Sequence, residues 1–262
     1  MEGDGSDPGP ASEVAAAIVA AGGTALADTH DVATADGARA LVDGAVAGLG
    51  GLDIVINNAG IIRWAALTDA DADLLDRHLA VHVGASYHTT RAAWPHLAER
   101  GYGRIVMTTS SGVFGHPANF AYATAKGAVI GLARSLATAG SGRGIAVNLI
   151  APAAVTRMAG PGSEEAAAAM APEFVAPMAA FLAHESCPVN GEIYQAGGGR
   201  FARMFLASTP GYVHEGSSPT VEDVARHWDA INDDAGYHRP TDLTDWSAAF
   251  TAHLTTTQER ET

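Results

Sequence analysis

Apolar positions recur along this chain in two alternating rhythms, short β-prone runs and longer stretches with helical spacing. Residues 24–29, 52–57, 105–107, 145–150 and 191–195 have the length and composition of strands. The unbroken Ile54-Val55-Ile56 reads as a parallel strand buried on both faces. Between them lie predicted helices: 13–21, capped by Ser12 and stopped by Gly22-Gly23; 35–49; 71–100; one carrying Tyr122 and ending near Gly140; and one running from Pro172 toward Cys187. Strands alternating with helices predict an α/β fold, a doubly wound parallel sheet of the Rossmann type. Beyond Gly197-Gly198-Gly199, Ser218-Pro219 marks another helix start, and Val221, Val224, Trp228 and Ile231 form an apolar stripe. The expected organisation is a sheet domain over 1–199 and a helical C-terminal extension over 200–262.

With 262 residues, 47% of them hydrophobic, the chain is long enough to bury one sizeable core. A formal charge of −14 argues against nucleic acid and against an anionic membrane as partners. The single cysteine, Cys187, has no internal partner for a disulfide. Ala15 to Ala20 with Ala25-Leu26-Ala27 imitates a signal peptide, but Glu2, Asp4 and Asp7 precede it where positive charge belongs. No apolar run reaches the roughly 18 residues that a membrane span needs. These features together predict a soluble, cytoplasmic protein.

Chemistry concentrates in the stretch 103–134, where a β-prone run empties into the hydroxyl cluster Thr108-Thr109-Ser110-Ser111 and then into Tyr122-Ala-Thr-Ala-Lys126. Four-residue spacing stacks Tyr122 and Lys126 on one helix face. The chain's 15 basic residues comprise fourteen arginines and Lys126 alone, so this position calls for a compact ammonium in place of a planar fork. An adjacent cation favours phenolate and is expected to pull Tyr122 down from about 10, suiting it to general acid/base work.

These motifs resemble the short-chain dehydrogenase/reductase superfamily, and within it the (3R)-hydroxyacyl-CoA dehydrogenase module of peroxisomal-type multifunctional enzymes; the resemblance covers roughly 3–235. It implies hydride transfer between NAD or NADP and a secondary alcohol or ketone, with Tyr122 trading the proton, Lys126 holding the cofactor ribose, and a hydroxyl orienting the substrate oxygen. Counting from Tyr122 gives Thr109 as that hydroxyl and counting from the strand gives Ser110, which is favoured. The resemblance also implies that Asp31 and Val32 meet adenine, that Asn58, Ala59 and Gly60 of the Asn57-Asn58-Ala59-Gly60 motif approach the ribose, and that Pro152 and Thr156 border the nicotinamide. Without it, Asp31 reads as a helix cap and Thr156 as a capping threonine.

Departures from the family pattern are informative. His82 stands where most members carry an active-site asparagine, and is either catalytic or a packed helix histidine. Ala153 replaces a usual glycine. His78 and His82 have the spacing of zinc ligands, but Leu79 stands where the glutamate of such a motif belongs; His184 and Cys187 are likewise only a pair, so no metal is expected. The family's opening strand and Gly-rich TGxxxGxG turn are not found, which leaves an N-terminally truncated Rossmann-type sheet and two readings. One is an active oxidoreductase on a small-molecule substrate, forming a homodimer or homotetramer through helices 71–100 and 120–139. The other is a non-catalytic subunit that keeps the oligomer surface.

Overall fold

The computed structural model describes residues 7–156, 158 and 163–258. They form two compact units that divide between Arg203 and Met204. The first is built on five strands, β1 (Ile54–Asn57), β2 (Gly103–Thr108), β3 (Ile145–Pro152), β4 (Ile193–Gly197) and β5 (Arg200–Met204), in that spatial order. The first four are parallel, with Asn57 level with Met107 and Met107 level with Leu149. Between and before them run α1 (Gly9–Ala20), α2 (Ala35–Leu49), α3 (Leu74–His78), α4 (Ala85–Arg100), α5 (Phe120–Gly140), α6 (Glu164–Ala169) and α7 (Ala176–Leu182).

Strands β2 and β3 are covered on both faces, as the inner strands of a doubly wound fold require. Val106, Ile150 and Ala196 pack with Leu182, Ala183 and Cys187 on the α7 side. Strand alternation sends the equally buried Ile105, Met107 and Leu149 to the opposite face, where α5 lies on β2 and β3. Each such apolar side chain stabilises the fold by about 1.5–3 kcal/mol on burial. Asn148 is polar yet fully buried. Its amide donates to Val189 O at 2.9 Å and accepts from Glu192 N at 3.1 Å, tying β3 to the approach of β4. Gly198 and Gly199, both at positive φ, turn the chain from β4 into β5 as a hairpin, so the sheet continues past Gly199.

Four expectations need correction. Residues 24–29 are extended but form no strand; no described strand lies beside them, and a strand exists only through its ladder. Ser12 is not a cap: the helix starts earlier, at Gly9, with Pro10 in the first turn and Ser12 N donating to Pro8 O. Strand β1, expected to be buried on both faces, leaves Ile54 44% and Ile56 48% exposed, and only Val55 of its apolar run is buried. The 19-residue stretch Glu164–Leu182 is, by mean hydropathy of 1.2, long and apolar enough to cross a membrane. It is folded as α6, a 3-10 turn at Pro172–Phe174 and α7, interrupted where Pro172 begins the turn.

The second unit holds α8 (Val221–Arg226), α9 (Trp228–Asn232) and α10 (Leu243–Gln258). Thr220 starts α8 through a reciprocal capping box with Asp223. Of the expected stripe, Val221 is 81% exposed and Trp228 58%. Tyr212 stacks on His227 and Phe205 on Tyr237.

Candidate active site

Parallel strands deliver their carboxyl ends to one edge of the sheet, the edge at which α/β folds bind ligands. There β1 ends at Asn57-Asn58, β2 at Thr108 and β3 at Pro152. Helix α5 starts at Phe120 beside this edge and presents Tyr122 and, one turn on, Lys126. Lys126 is 3% exposed. Its ammonium donates to Thr108 O at 2.7 Å and lies 5.6 Å from the centre of the Tyr122 ring.

The two hydroxyl candidates part company here. Thr109 is fully buried and donates to Lys126 O at 2.8 Å, a bond that anchors the helix to the strand end. Ser110 is half-buried, accepts from Gly112 N at 3.0 Å, and hydrogen-bonds the Tyr122 side chain. Ser110 therefore faces the phenol. A side chain on Gly112 would come within 3.5 Å of Asn119, Ser110 and Tyr122 at once, so this glycine leaves room at the point where they converge.

Electrostatics correct one expectation. Burial pushes the Tyr122 phenol above its ordinary 10, and only the Ser110 hydrogen bond pulls it back; the lysine cation lies over the ring and does not lower it. Burial also holds Lys126 down to about 8. Tyr122 is thus a neutral phenol around pH 7, a proton donor poised beside a partly labile ammonium.

His78 and His82 are not a ligand pair but two pins. His78 donates from Nδ1 to Leu74 O at 2.7 Å, leaving Nε2 to accept from Arg63 N at 3.4 Å. His82 Nε2 donates to Ile61 O at 2.8 Å, so its Nδ1 is a bare acceptor, buried and without a hydrogen-bond partner among the described residues. Burial first, then the Lys126 charge, hold His82 down to about 3 against the pull of the Ile61 bond. It is neutral. Its ring stands 5.2 Å from that of Tyr122, inside a π-helical turn, Leu79–Gly84, that interrupts the long helix at this point. No spacing rule marks such a turn in the sequence, and the pinning role of His78 was hidden behind its zinc-like spacing.

The remaining candidates are spread along the edge. Asn58 and Ala59 are exposed, and Asn58 accepts from the Thr108 hydroxyl at 3.2 Å. A side chain on Gly60 would meet His82 at 2.6 Å, so only glycine fits. Pro152 closes β3, and Thr156 is exposed and accepts from Met158 N. Asp31 and Val32 lie in the turn before α2, where Asp31 accepts from Ala33 N. The cap itself is Thr34, not Asp31. Neither Asp31 nor Val32 bonds to the Tyr122 cluster among the described residues. The edge fits a nicotinamide ribose: one of the three Lys126 protons is used by Thr108 O, and the Asn58-Ala59-Gly60 backbone lies open beside it.

A short chain dehydrogenase family model matches residues 5–166. A short-chain type dehydrogenase/reductase of Mycobacterium tuberculosis is 39% identical over 237 residues, covering 90% of this chain and 82% of that protein. Peroxisomal multifunctional enzyme type 2 of mouse is 36% identical over 247 residues, and there 92% of this chain spans only 33% of the relative. Among solved structures, full-length peroxisomal multifunctional enzyme type 2 from Drosophila melanogaster superposes with a TM-score of 0.81 at 28% identity, over 94% of this chain and 44% of that one. A short chain dehydrogenase from Mycobacterium avium gives 0.74 at 30% identity, over 85% and 80%.

Proposed function

We propose, from the premise that the chain belongs to the short-chain dehydrogenase family, that it is a nicotinamide-dependent oxidoreductase interconverting a secondary alcohol and its ketone. The observation that carries this reading is the convergence of Ser110, Tyr122 and Lys126 at the carboxyl edge of the sheet, with Ser110 bonded to the phenol and the ammonium beneath it.

A bound nicotinamide, NAD or NADP, supplies or accepts the hydride. Lys126, Asn58, Ala59, Gly60, Pro152 and Thr156 are the residues that would hold its nicotinamide half, and Asp31 and Val32 its adenine. Ser110 fixes the substrate oxygen through a hydrogen bond. Tyr122 gives that oxygen its proton when a ketone is reduced and takes it back when an alcohol is oxidised. The raised pKa of Tyr122 keeps the phenol protonated, the form from which it can donate. Lys126, charged below about pH 8, keeps protons to offer the hydroxyls of the cofactor ribose. His82 stays neutral and holds Ile61 in place. Likeness to the multifunctional enzymes supports a 3-hydroxyacyl thioester as the substrate.

Pairing through α4 and α5 as a homodimer or homotetramer is part of the same proposal. A cleft of about 800 Å³ lies on these helices, bordered by Trp94, Pro95, Leu136 and Ala139 together with Arg39, Asp43, Arg91 and Arg143, a mixed surface of the kind that subunits pair through.

Deuterium tracing tests the reading. Incubation with reduced nicotinamide labelled at the transferable position and a 3-ketoacyl thioester is expected to place deuterium on the carbinol carbon of the product. An unlabelled product, or no turnover with either cofactor, would contradict it.

A further inference from the structure

The segment that leaves β1 is fastened at four successive points. Ile61 O accepts from His82, Arg63 N donates to His78, the Trp64 ring meets His116 edge-on at 5.3 Å between centroids, and Ala65 N donates to Ala118 O at 3.0 Å. His78 and His82 both pack on Tyr122, at 6.4 and 5.2 Å between rings. The 61–65 segment and the 111–118 segment therefore form two walls, tied to each other and to the helix that carries the phenol.

What these walls display is apolar. Trp64 is 54% exposed, Leu67 75% and Phe114 73%. In a chain of net charge −14, residues 59–67 and 111–121 contain no Asp, Glu or Lys, and their one arginine, Arg63, is paired with Asp71. Large apolar side chains left in water on pinned segments are surface held ready for a partner, and the absence of an unpaired permanent charge decides which kind.

We infer that Trp64 and Phe114 take the hydrocarbon substituent of the substrate and make the protein selective for secondary alcohols and ketones with long uncharged substituents. This rests on the reading of Tyr122 as the proton carrier, which sets the reacting carbon next to the walls. A carboxylate on the substituent would lose water against these walls, which offer it no unpaired permanent cation, so keto acids are disfavoured.

The test compares a series of n-alkyl methyl ketones of increasing length with keto acids of matching length, in the native protein and in Trp64→Ala, Trp64→Phe and Phe114→Ala. Turnover is followed with both reduced cofactors, and ketone binding by calorimetry in their absence. In the native protein kcat/KM is expected to rise by about two- to fourfold per added methylene, the range set by partial to full burial of each group. Trp64→Ala and Phe114→Ala should flatten that rise, with a loss on the order of tenfold for the longest ketone carried mainly by KM, and Trp64→Phe should restore most of it. Native turnover with an unchanged length dependence in both alanine variants overturns the wall and leaves the oxidoreductase reading standing. Length-dependent binding lost in Trp64→Ala, without turnover of any ketone, supports the wall and overturns that reading. Preference for the keto acids overturns the selectivity.

Discussion

The Lys126 ammonium sits 5.6 Å from the centre of the Tyr122 ring and spends a proton on Thr108 O at 2.7 Å, so the cation lies over the face of the phenol and not against its oxygen. This arrangement leaves burial in control of both groups: it raises the phenol and lowers the ammonium to about 8. The pair favours a neutral tyrosine ready to donate.

Ketone reduction should therefore fall as pH rises through about 8. Tyr122, raised above 10, stays protonated across that range, so the falling limb reports loss of the Lys126 charge. Lys126→Arg keeps a charge that does not titrate there, and should lose the limb along with on the order of 100-fold in turnover, because the planar fork cannot occupy the same site. A pH–rate profile of kcat for the native protein and the variant checks both effects.

His82 predicts acid sensitivity. Its pKa is about 3 in the fold and about 6.5 unfolded, so the unfolded chain binds the extra proton between those values. Stability from this group is complete above pH 6.5 and is lost as pH falls toward 3, by on the order of 4 kcal/mol. His82→Gln removes the titrating group, and its Tm should fall less steeply over that window than the native Tm. Thermal melts from pH 7 to pH 3.5, about that window, are the measurement.

Asn148→Ala should destabilise the fold by about 1–3 kcal/mol. It strands Glu192 N and Val189 O without their buried partner. Denaturant titration at neutral pH reads the change, and the midpoint should shift with no change in slope.

Assembly is expected at tens of micromolar, a range in which many homodimers are stable. Light scattering of the full chain should give a dimer or tetramer. Truncation after Arg203, which ends the first compact unit, should loosen it if the exposed Val221, Val224 and Trp228 stripe is covered in the oligomer.

Much of this molecule was legible because local rules governed it. Apolar runs placed β1 to β4, and α2 fell at Ala35–Leu49 as its spacing foretold. That Tyr122 and Lys126 share a helix face followed from helical period, and the strand and hydroxyl cluster before them singled the pair out. What failed depended on partners. Residues 24–29 have strand composition, yet no neighbouring strand completes a ladder. Ile54 and Ile56 read as buried from composition, yet their exposure depends on what packs over β1, which a run of apolar residues does not specify. The sign of the Tyr122 shift was missed for the same reason: sequence spacing brings the lysine near, but burial is a property of the whole fold. Ser110 and Thr109 became distinguishable only when the bend after β2 sent one hydroxyl inward to Lys126 O and the other toward the phenol.

Proton transfer by Tyr122 is tested most directly by the Tyr122→Phe variant, assayed for consumption of reduced nicotinamide with a 3-ketoacyl thioester. The phenylalanine keeps the ring packing against His78 and His82 and deletes only the hydroxyl. Turnover should drop by on the order of 100-fold or more with the melting temperature nearly unchanged. A variant that turns over near the native rate would contradict the assignment.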